Sequence, residues 1–389
     1  MIMSRIYRRI GDFISVIDNR NTDGNVTNLM GISIDKCYIP SVANIIGTNL
    51  NNYKVIRKGQ FACSLMQVSR DQRIPIAMYE RETPAIMSPA YVMFEVARPK
   101  EILPEYMELW FKRAEFDREA SFYAVGGVRG SLDWDDFCRM ELPVPPIDEQ
   151  RKIVHDYQVI TDRIVLLRKL NQNLEAQACT LIFRKIGFPI LLNKSKAEIE
   201  QLSEQFDIYT IKEYCAKMVT GATPSRKDRN YWSNGTIPWL KSGEVHNCCI
   251  FETDEKITES ACNNSSVKMM KQNTVVMAMY GATAAQVGFL CINTTTNQAI
   301  CGMECNSFPS AAYLYFALIL SQQEIFKQAN GGAQDNLSKE MIEDFKIIKL
   351  YDDSIQSIGL SAMLNMIICN SAEMLKMEKA SHLVVSRVL

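Results

Sequence analysis

Histidine is scarce in this chain of 389 residues: His155, His246 and His382 are the full set, and no CxxC pair occurs among twelve cysteines. These absences exclude the usual zinc frameworks. The nearest approach, His246 with Cys248 and Cys249, asks two adjacent cysteines to ligate one ion with poor geometry, so no metal is expected and the thiols are read as reduced. Also missing are the GxxxxGK[ST] phosphate loop, the GxGxxG fingerprint, HExxH and GxSxG. "PVPPID" at 143–148 has prolines but lacks the polar residue that would precede them in an amino-methyltransferase tetrapeptide. "FETDEKIT" at 251–258 carries acids and a lysine at nuclease-like spacing, yet in a turn-rich segment it reads as solvated surface. No active site is expected, and no cofactor in this chain.

Charge of one sign is lacking too. Lysine and arginine number 43 against 44 acids, a net charge of −1, so any basic surface must be local. No apolar run reaches membrane-span length and the N-terminus lacks a signal-peptide core, which predicts a cytoplasmic protein without membrane contact. With 47% hydrophobic and 22% charged residues, the chain has the composition of a globular protein long enough for two domains.

What is present is a repeat. "GGVRGSL" at 126–132 returns as "GGAQDNL" at 331–337, an offset of 205 residues. Leu109-Trp110-Phe111 matches Leu314-Tyr315-Phe316 at the same offset, and Met140-Glu141-Leu142-Pro143 matches Phe345-Lys346-Ile347-Ile348. Helix, Gly-Gly turn, polar loop and strand thus recur in one order, which predicts a duplicated domain; the period is too long for a solenoid. The fold class is α+β: two tandem similar α/β domains, at 1–146 and 207–352, separated by two long helices. A helical stretch is expected from Leu103 to about Tyr123, and a helix holding Tyr313 to Ala329 in the second domain.

Pro143, Pro145 and Pro146 stop the first domain and start a helix over 147–188. Ile153, Tyr157, Ile160, Ile164, Leu167, Asn171, Leu174, Ala178 and Leu181 alternate steps of four and three, the seam of a coiled coil. Asn171 in such a seam fixes register at some cost in stability. A polar linker is expected at 189–206. The second long helix, at 353–389, carries Leu360, Leu364, Ile367, Met374 and Val385 on one stripe, and antiparallel pairing of the two helices is expected. At ~1.5 Å per residue the first helix spans roughly 50 Å, about one and a half turns of B-DNA. Two similar modules on such a spacer could read two short sites across a fixed gap.

Several polar loops could face a ligand. In "GATPSRKDRNYWSNGTIPWLKSGEV" at 221–245, Ser225, Arg226 and Lys227 could contact phosphates, and Lys241, Ser242 and Glu244 base edges, with Trp232 and Trp239 in the core. Tyr280, Gly281 and Thr283 lie at a tip between strands, Asn297 and Gln298 suit bidentate bonds to adenine, and the second Gly-Gly loop adds Gln334 and Asn336. In the first domain the candidates are Gln67, Ser69, Arg70 and Arg73, with Arg129 and Ser131 of the first Gly-Gly loop; Arg129 suits guanine.

These stretches, with "NTVVMAMYGATAAQVGF", "TNQAI", "ANGGAQDNLS", "LPVPPIDEQRKIV" and "VTNLMGISIDKCYIPSVANIIGTNLNNYKVIRKGQFACSLMQVSRDQRIPIA", resemble the specificity subunits of type I restriction-modification systems. The resemblance implies a non-catalytic subunit in which each domain reads one half of a bipartite target in double-stranded DNA and the helices set the gap. It further implies two modification (methyltransferase) subunits that bring S-adenosylmethionine, and restriction subunits that bring ATP, Mg and cleavage. One departure stands out. The second domain ends "KIIKLYDDSIQSIG", where the family repeats the proline-rich element of 143–150. Two rival readings are a fragment of a fused restriction-methylation enzyme, which needs a catalytic domain in the chain, and a coiled-coil scaffold without DNA reading.

Overall fold

The computed structural model describes residues 6–41, 48–66, 68–124, 130–192, 194–329 and 336–386. They divide into two compact units, 1–164 with 376–389, and 165–375.

In the first unit, strands β1 (Tyr7–Arg9), β2 (Ile14–Ile17), β3 (Phe61–Cys63), β4 (Ile76–Met78), β5 (Val92–Val96) and β6 (Glu141–Pro143) frame the domain. A four-stranded antiparallel sheet runs β2-β5-β3-β4, and β1 pairs separately with β6. Helices α1 (Pro104–Phe111), α2 (Ala114–Tyr123) and α3 (Trp134–Arg139) follow. Phe61 and Phe94 stack at 5.1 Å on this sheet, and Phe111 meets Phe61 edge-on at 5.7 Å. The helical stretch expected over 103–123 is two helices: Lys112 ends α1, and Arg113, extended with φ −77° and ψ 141°, holds the cap position of α2.

The second unit repeats this frame. The strands that build it are β7 (Ile208–Thr210), β8 (Lys217–Thr220), β9 (Cys248–Ile250), β10 (Val275–Ala278), β11 (Val287–Leu290), β12 (Ile300–Glu304) and β13 (Lys346–Ile348), beside a separate three-stranded sheet of Ile237–Leu240, Glu255–Ile257 and Thr295–Thr296. The sheet order is β8-β12-β10-β11-β9, and β7 pairs with β13. Position for position, β8, β12, β10 and β11 stand where β2, β5, β3 and β4 stand in the first unit, and β9 is an added parallel edge strand. The closing strands match as well: Ile10 donates its amide to Met140 O at 2.8 Å, and Ile211 to Phe345 O at 2.8 Å. Those acceptors are the residues placed 205 apart by the repeat.

The first long helix, α4, spans Ile147–Ile186. Helices α5 (Lys196–Ser203), α6 (Phe308–Leu320), α7 (Gln322–Ala329), α8 (Lys339–Asp344), α9 (Asp352–Ser357) and α10 (Leu360–Ser386) belong to the rest of the chain. The segment expected to be a single helix over Tyr313–Ala329 is split at Ser321, and its first part begins earlier. Along α4, Ile164, Leu167, Leu174 and Ala178 are buried, so the four-three spacing does point inward; each large apolar side chain so buried contributes about 1.5–3 kcal/mol. Val154 and Ile182 are buried in addition, and Leu181 is only half-buried beside Ile182. Ile153, Tyr157 and Ile160 sit half-buried on the same face. In the second unit α4 meets α10: Asn370 Nδ2 donates to Asn171 Oδ1 at 2.8 Å and Asn171 Nδ2 donates to Ser371 Oγ at 3.1 Å. Leu360, Leu364 and Ile367 share that core with Leu174, Ala178 and Ile182, while Val154 shares the first unit's core with Val385. The pairing is therefore antiparallel. Met374 lies half-buried between these points.

Two segments depart from expectation. The stretch at 189–206 is more than a polar linker: Leu191 donates to Lys346 O at 2.8 Å and Ile348 to Pro189 O at 2.9 Å, extending the β7–β13 pair at its open edge. The rest forms α5, started by a capping box between Ser195 and Glu198. The second long helix is interrupted, with α9 and α10 separated at Gly359, whose φ of +77° suits a residue without Cβ.

Candidate nucleic-acid interface

Glycine at 221 is required by close approach: a Cβ there would lie 2.1 Å from both Thr296 O and its Oγ1. The 221–227 loop is thereby laid across the turn that enters β12. Ala222 N donates to Thr296 O at 2.9 Å, and Thr223 Oγ1 donates to Gln298 Oε1 at 2.6 Å. Two tryptophans hold the loop from below: Trp239 Nε1 donates to Ala222 O and Trp232 Nε1 to Ser225 O, each at 3.1 Å. Trp239 is buried as expected, whereas Trp232 is half-buried.

Arg226 stacks on this pair, its guanidinium carbon 3.7 Å from the Trp232 ring centroid and 5.0 Å from that of Trp239. It also binds Glu255 through both terminal nitrogens, at 2.5 and 3.2 Å. Lys241 reaches Asp254 at 3.1 Å and Glu255 at 3.4 Å. Glu255 is consequently held below the ordinary carboxylate range, chiefly by Arg226 and then by Lys241, and Lys241 is raised, chiefly by Asp254. Asp254 and Glu255 of "FETDEKIT", expected to be solvated surface, are thus the counter-charges of the two cations expected to meet a ligand. Sequence spacing hides this because the partners lie 29 and 13 residues apart.

Glu244 accepts from the backbone amides of Lys241 at 3.0 Å and Asp254 at 2.9 Å, so it caps a turn with both oxygens. Asn297 accepts from Ala299 N at 3.2 Å and donates to Ser242 Oγ at 3.4 Å, a turn-forming arrangement. Gln298, Ser225 and Lys227 are exposed. Tyr280 is 40% exposed at the end of β10, where it forms a bridge with Asn336. Gly281 follows with φ +70°, opening the turn that contains Thr283. Gly221, Thr223, Gln298, Tyr280 and Asn336 therefore share one end of the sheet.

The first unit assembles its candidates in the same way. Leu132, last residue of the Gly-Gly element, donates its amide to Leu65 O at 2.9 Å; its counterpart Leu337 donates to Met279 O at 2.8 Å. Leu65 lies just beyond β3 and Met279 just beyond β10, the equivalent strands. Gly130, at φ +71°, packs on Ser69, whose Cβ would be 3.0 Å from a Cβ at 130. Arg70 pairs with its neighbour Asp71 at 2.6 Å and Arg73 with Asp35 at 2.9 Å, both at the surface. Gln67, Arg129 and Gln334 lie outside the described residues. Among the described residues no group of three or more His, Cys, Asp and Glu side chains is placed to hold a metal ion, and no helix is long and apolar enough to cross a membrane.

Sequence reasoning passed over Gln150. Fully buried, it accepts from Leu103 N at 2.9 Å and donates to Glu101 O and Pro145 O, both at 2.8 Å, tying the start of α4 to the start of α1. Its place in "PPIDEQ" was the available signal.

Two copies of one α/β frame, each holding the leucine that closes its Gly-Gly element beside a strand end and each packed on antiparallel helices, define a duplicated module. Residues 203–350 match the family model for the type I restriction modification DNA specificity domain. A curated relative, the specificity subunit of the type I restriction enzyme EcoR124I/EcoR124II from Escherichia coli, is 24% identical over 136 residues. That match covers 34% of this chain and 34% of the relative, about a third of its length. Among solved structures, the S subunit of the type I restriction-modification system from M. genitalium has a TM-score of 0.56 at 11% identity, over 100% of this chain and 97% of that one. The fold is thus shared along the whole chain.

Proposed function

We propose that this chain is the DNA sequence-specificity subunit of a type I restriction-modification complex, each unit reading one half of a bipartite target. The observation that carries the reading is the repetition of the loop anchor, Leu132 on Leu65 and Leu337 on Met279, in two units with the same core strand order. A duplicated frame that keeps its core and varies its polar loops suits two different half-sites. The name of the E. coli relative and the specificity-domain family support the same reading.

In this proposal the subunit catalyses nothing. Two modification subunits dock on the paired helices, bring S-adenosylmethionine, and close around double-stranded DNA; restriction subunits, where the system has them, bring ATP and Mg. Since the chain has a net charge of −1, much of the basic surface that neutralises phosphates comes from those partners. Thr223, Gln298, Tyr280 and Asn336 are the contacts proposed for one half-site, and Ser69, Arg73, Arg129 and Ser131 for the other. Arg226 and Lys241 reach DNA only by exchanging a carboxylate partner for a phosphate.

Sequencing of methylated adenines in cells expressing this chain with its neighbouring modification subunit tests the proposal. The expected result is one motif of two short halves with a fixed gap, lost when the chain is deleted. A competent methyltransferase whose motif does not depend on this chain would refute it.

A further inference from the structure

The first unit holds a second concentration of charge, which borders the Arg73–Asp35 pair described above. A cleft of about 830 Å³ is lined by Lys36, Arg73, Lys112, Arg113, Arg118 and His382, with Asp35, Glu115 and Asp117 opposing them. At its wall begins α2, a helix of ten residues whose cap position, Arg113, provides no side-chain hydrogen bond to the first turn. The amides of a helix start left without a side-chain cap favour an anion.

Arg113 is the independent sign that something belongs there. Its side chain is only 1% exposed, and Nε, Nη1 and Nη2 have no hydrogen-bond partner among the described residues. Its contacts are the face of Trp110, 4.4 Å away, and one Glu115 oxygen at 3.3 Å, too loose for the fork of bonds a guanidinium can make. A buried guanidinium so poorly matched is costly unless an acceptor supplies the missing bonds. The other deep cations are satisfied: Lys36 pairs with Asp117 at 2.7 Å and donates to Phe111 O, and Lys112 pairs with Glu108 at 3.4 Å.

Glu115 shows what kind of group fits. Its carboxylate, half exposed, is held below the usual range first by its own backbone amide, then by Arg113 and Arg118, the last at 3.1 Å. It is an internal anion resting on a helix start between two arginines. A tetrahedral group carrying about −1.5 to −2 charges and three acceptor oxygens outcompetes a single carboxylate for that position.

We propose that this cleft is a phosphate-binding site, in which Arg113, Arg118 and the first turn of α2 take a phosphate group in place of Glu115. The inference stands without the DNA-reading proposal, since the phosphate can belong to a free small molecule as well as to a nucleic-acid backbone.

Inorganic phosphate and pyrophosphate, titrated into the full chain by calorimetry and ³¹P NMR, provide the test. Saturable binding at one site is expected. Arg113→Lys, which keeps the charge but loses the fork, should weaken it about tenfold. Glu115→Gln should strengthen it, and the exposed Arg118→Gln should weaken it with an unchanged melting temperature. That last variant guards against Arg113→Lys acting through misfolding alone. If neither the wild type nor Glu115→Gln binds saturably, or if Arg118→Gln and Glu115→Gln both bind as the wild type does, the site does not exist. Displacement of pyrophosphate by a short DNA duplex would assign the phosphate to a nucleic-acid backbone, and resistance to it would assign a free ligand; either outcome presupposes the site.

Discussion

In the first unit a neutral, fully buried Gln150 ties the start of α4 to the domain by three hydrogen bonds to backbone groups at Leu103, Glu101 and Pro145. In the second unit the corresponding place, after β13, has no proline-rich element. There Asp352 accepts from Ser307 Oγ at 3.0 Å and Ser310 Oγ at 3.1 Å, binding the start of α9 to the start of α6. The sequence departure at "KLYDDSIQS" therefore replaces the chemistry of the joint but keeps a joint. Its visible consequence is downstream, where the second helix is broken at Gly359 while α4 runs without a break. What is preserved between the units is the position of the fastening, not the residue that makes it.

The largest effect expected from disturbing this comparison lies in the loop found only in the second unit. Gly221→Ala forces a Cβ against Thr296 backbone and should cost about 3 kcal/mol, with hydrogen exchange rising in residues 221–245 and unchanged in the first unit. Equal loosening of both units would show that the two frames are not independent.

Next come the joints themselves. Gln150→Ala leaves three backbone groups without partners in a buried site and should destabilise by roughly 2 kcal/mol, whereas Asp352→Ala, at a half-buried site between hydroxyls that can turn elsewhere, should cost about 1 kcal/mol. Urea unfolding of both variants measures the gap, and equal costs would remove the distinction between the two fastenings.

Asn171→Leu leaves Asn370 and Ser371 without their shared partner and should lower the midpoint of thermal unfolding, by about 1 kcal/mol in stability, and broaden the distances between spin labels placed on α4 and α10. A sharper distance distribution would mean that Asn171 does not set the register.

The smallest effect is that of acid on the Arg226 cluster. Glu255 has a depressed pKa in the folded chain, so its contribution is present above the ordinary carboxylate range and is lost as pH falls through the depressed value. Trp232 fluorescence should change with a midpoint below the ordinary glutamate pKa, and Glu255→Gln should abolish that change. A midpoint at the ordinary value would mean that Arg226 does not hold Glu255 in solution.

Much of the frame was legible before the structure. The helical seam could be read because burial along α4 follows a local period, and the duplication could be read because Leu109-Trp110-Phe111 and the Gly-Gly element return at one spacing. The break at Arg113 was not legible, since α1 and α2 together have the composition of a continuous helix and only packing turns the chain there. Nor was β9 legible. It is a short edge strand whose pairing partner, β11, lies about forty residues on. Of the interface, the loops that carry it could be named, but not which of their polar residues serve the loop's own turns.

The sequence by itself determined the two frames, the long helices and the Asn171 position, because periodicity and repetition are properties of order along the chain. Only the tertiary structure decided that Arg226 meets Glu255, that Gln150 fastens a helix and that Arg113 is buried with its hydrogen bonds unmade. Those outcomes depend on distance through space, and electrostatic and hydrogen-bonding energies are indifferent to how many residues separate the partners.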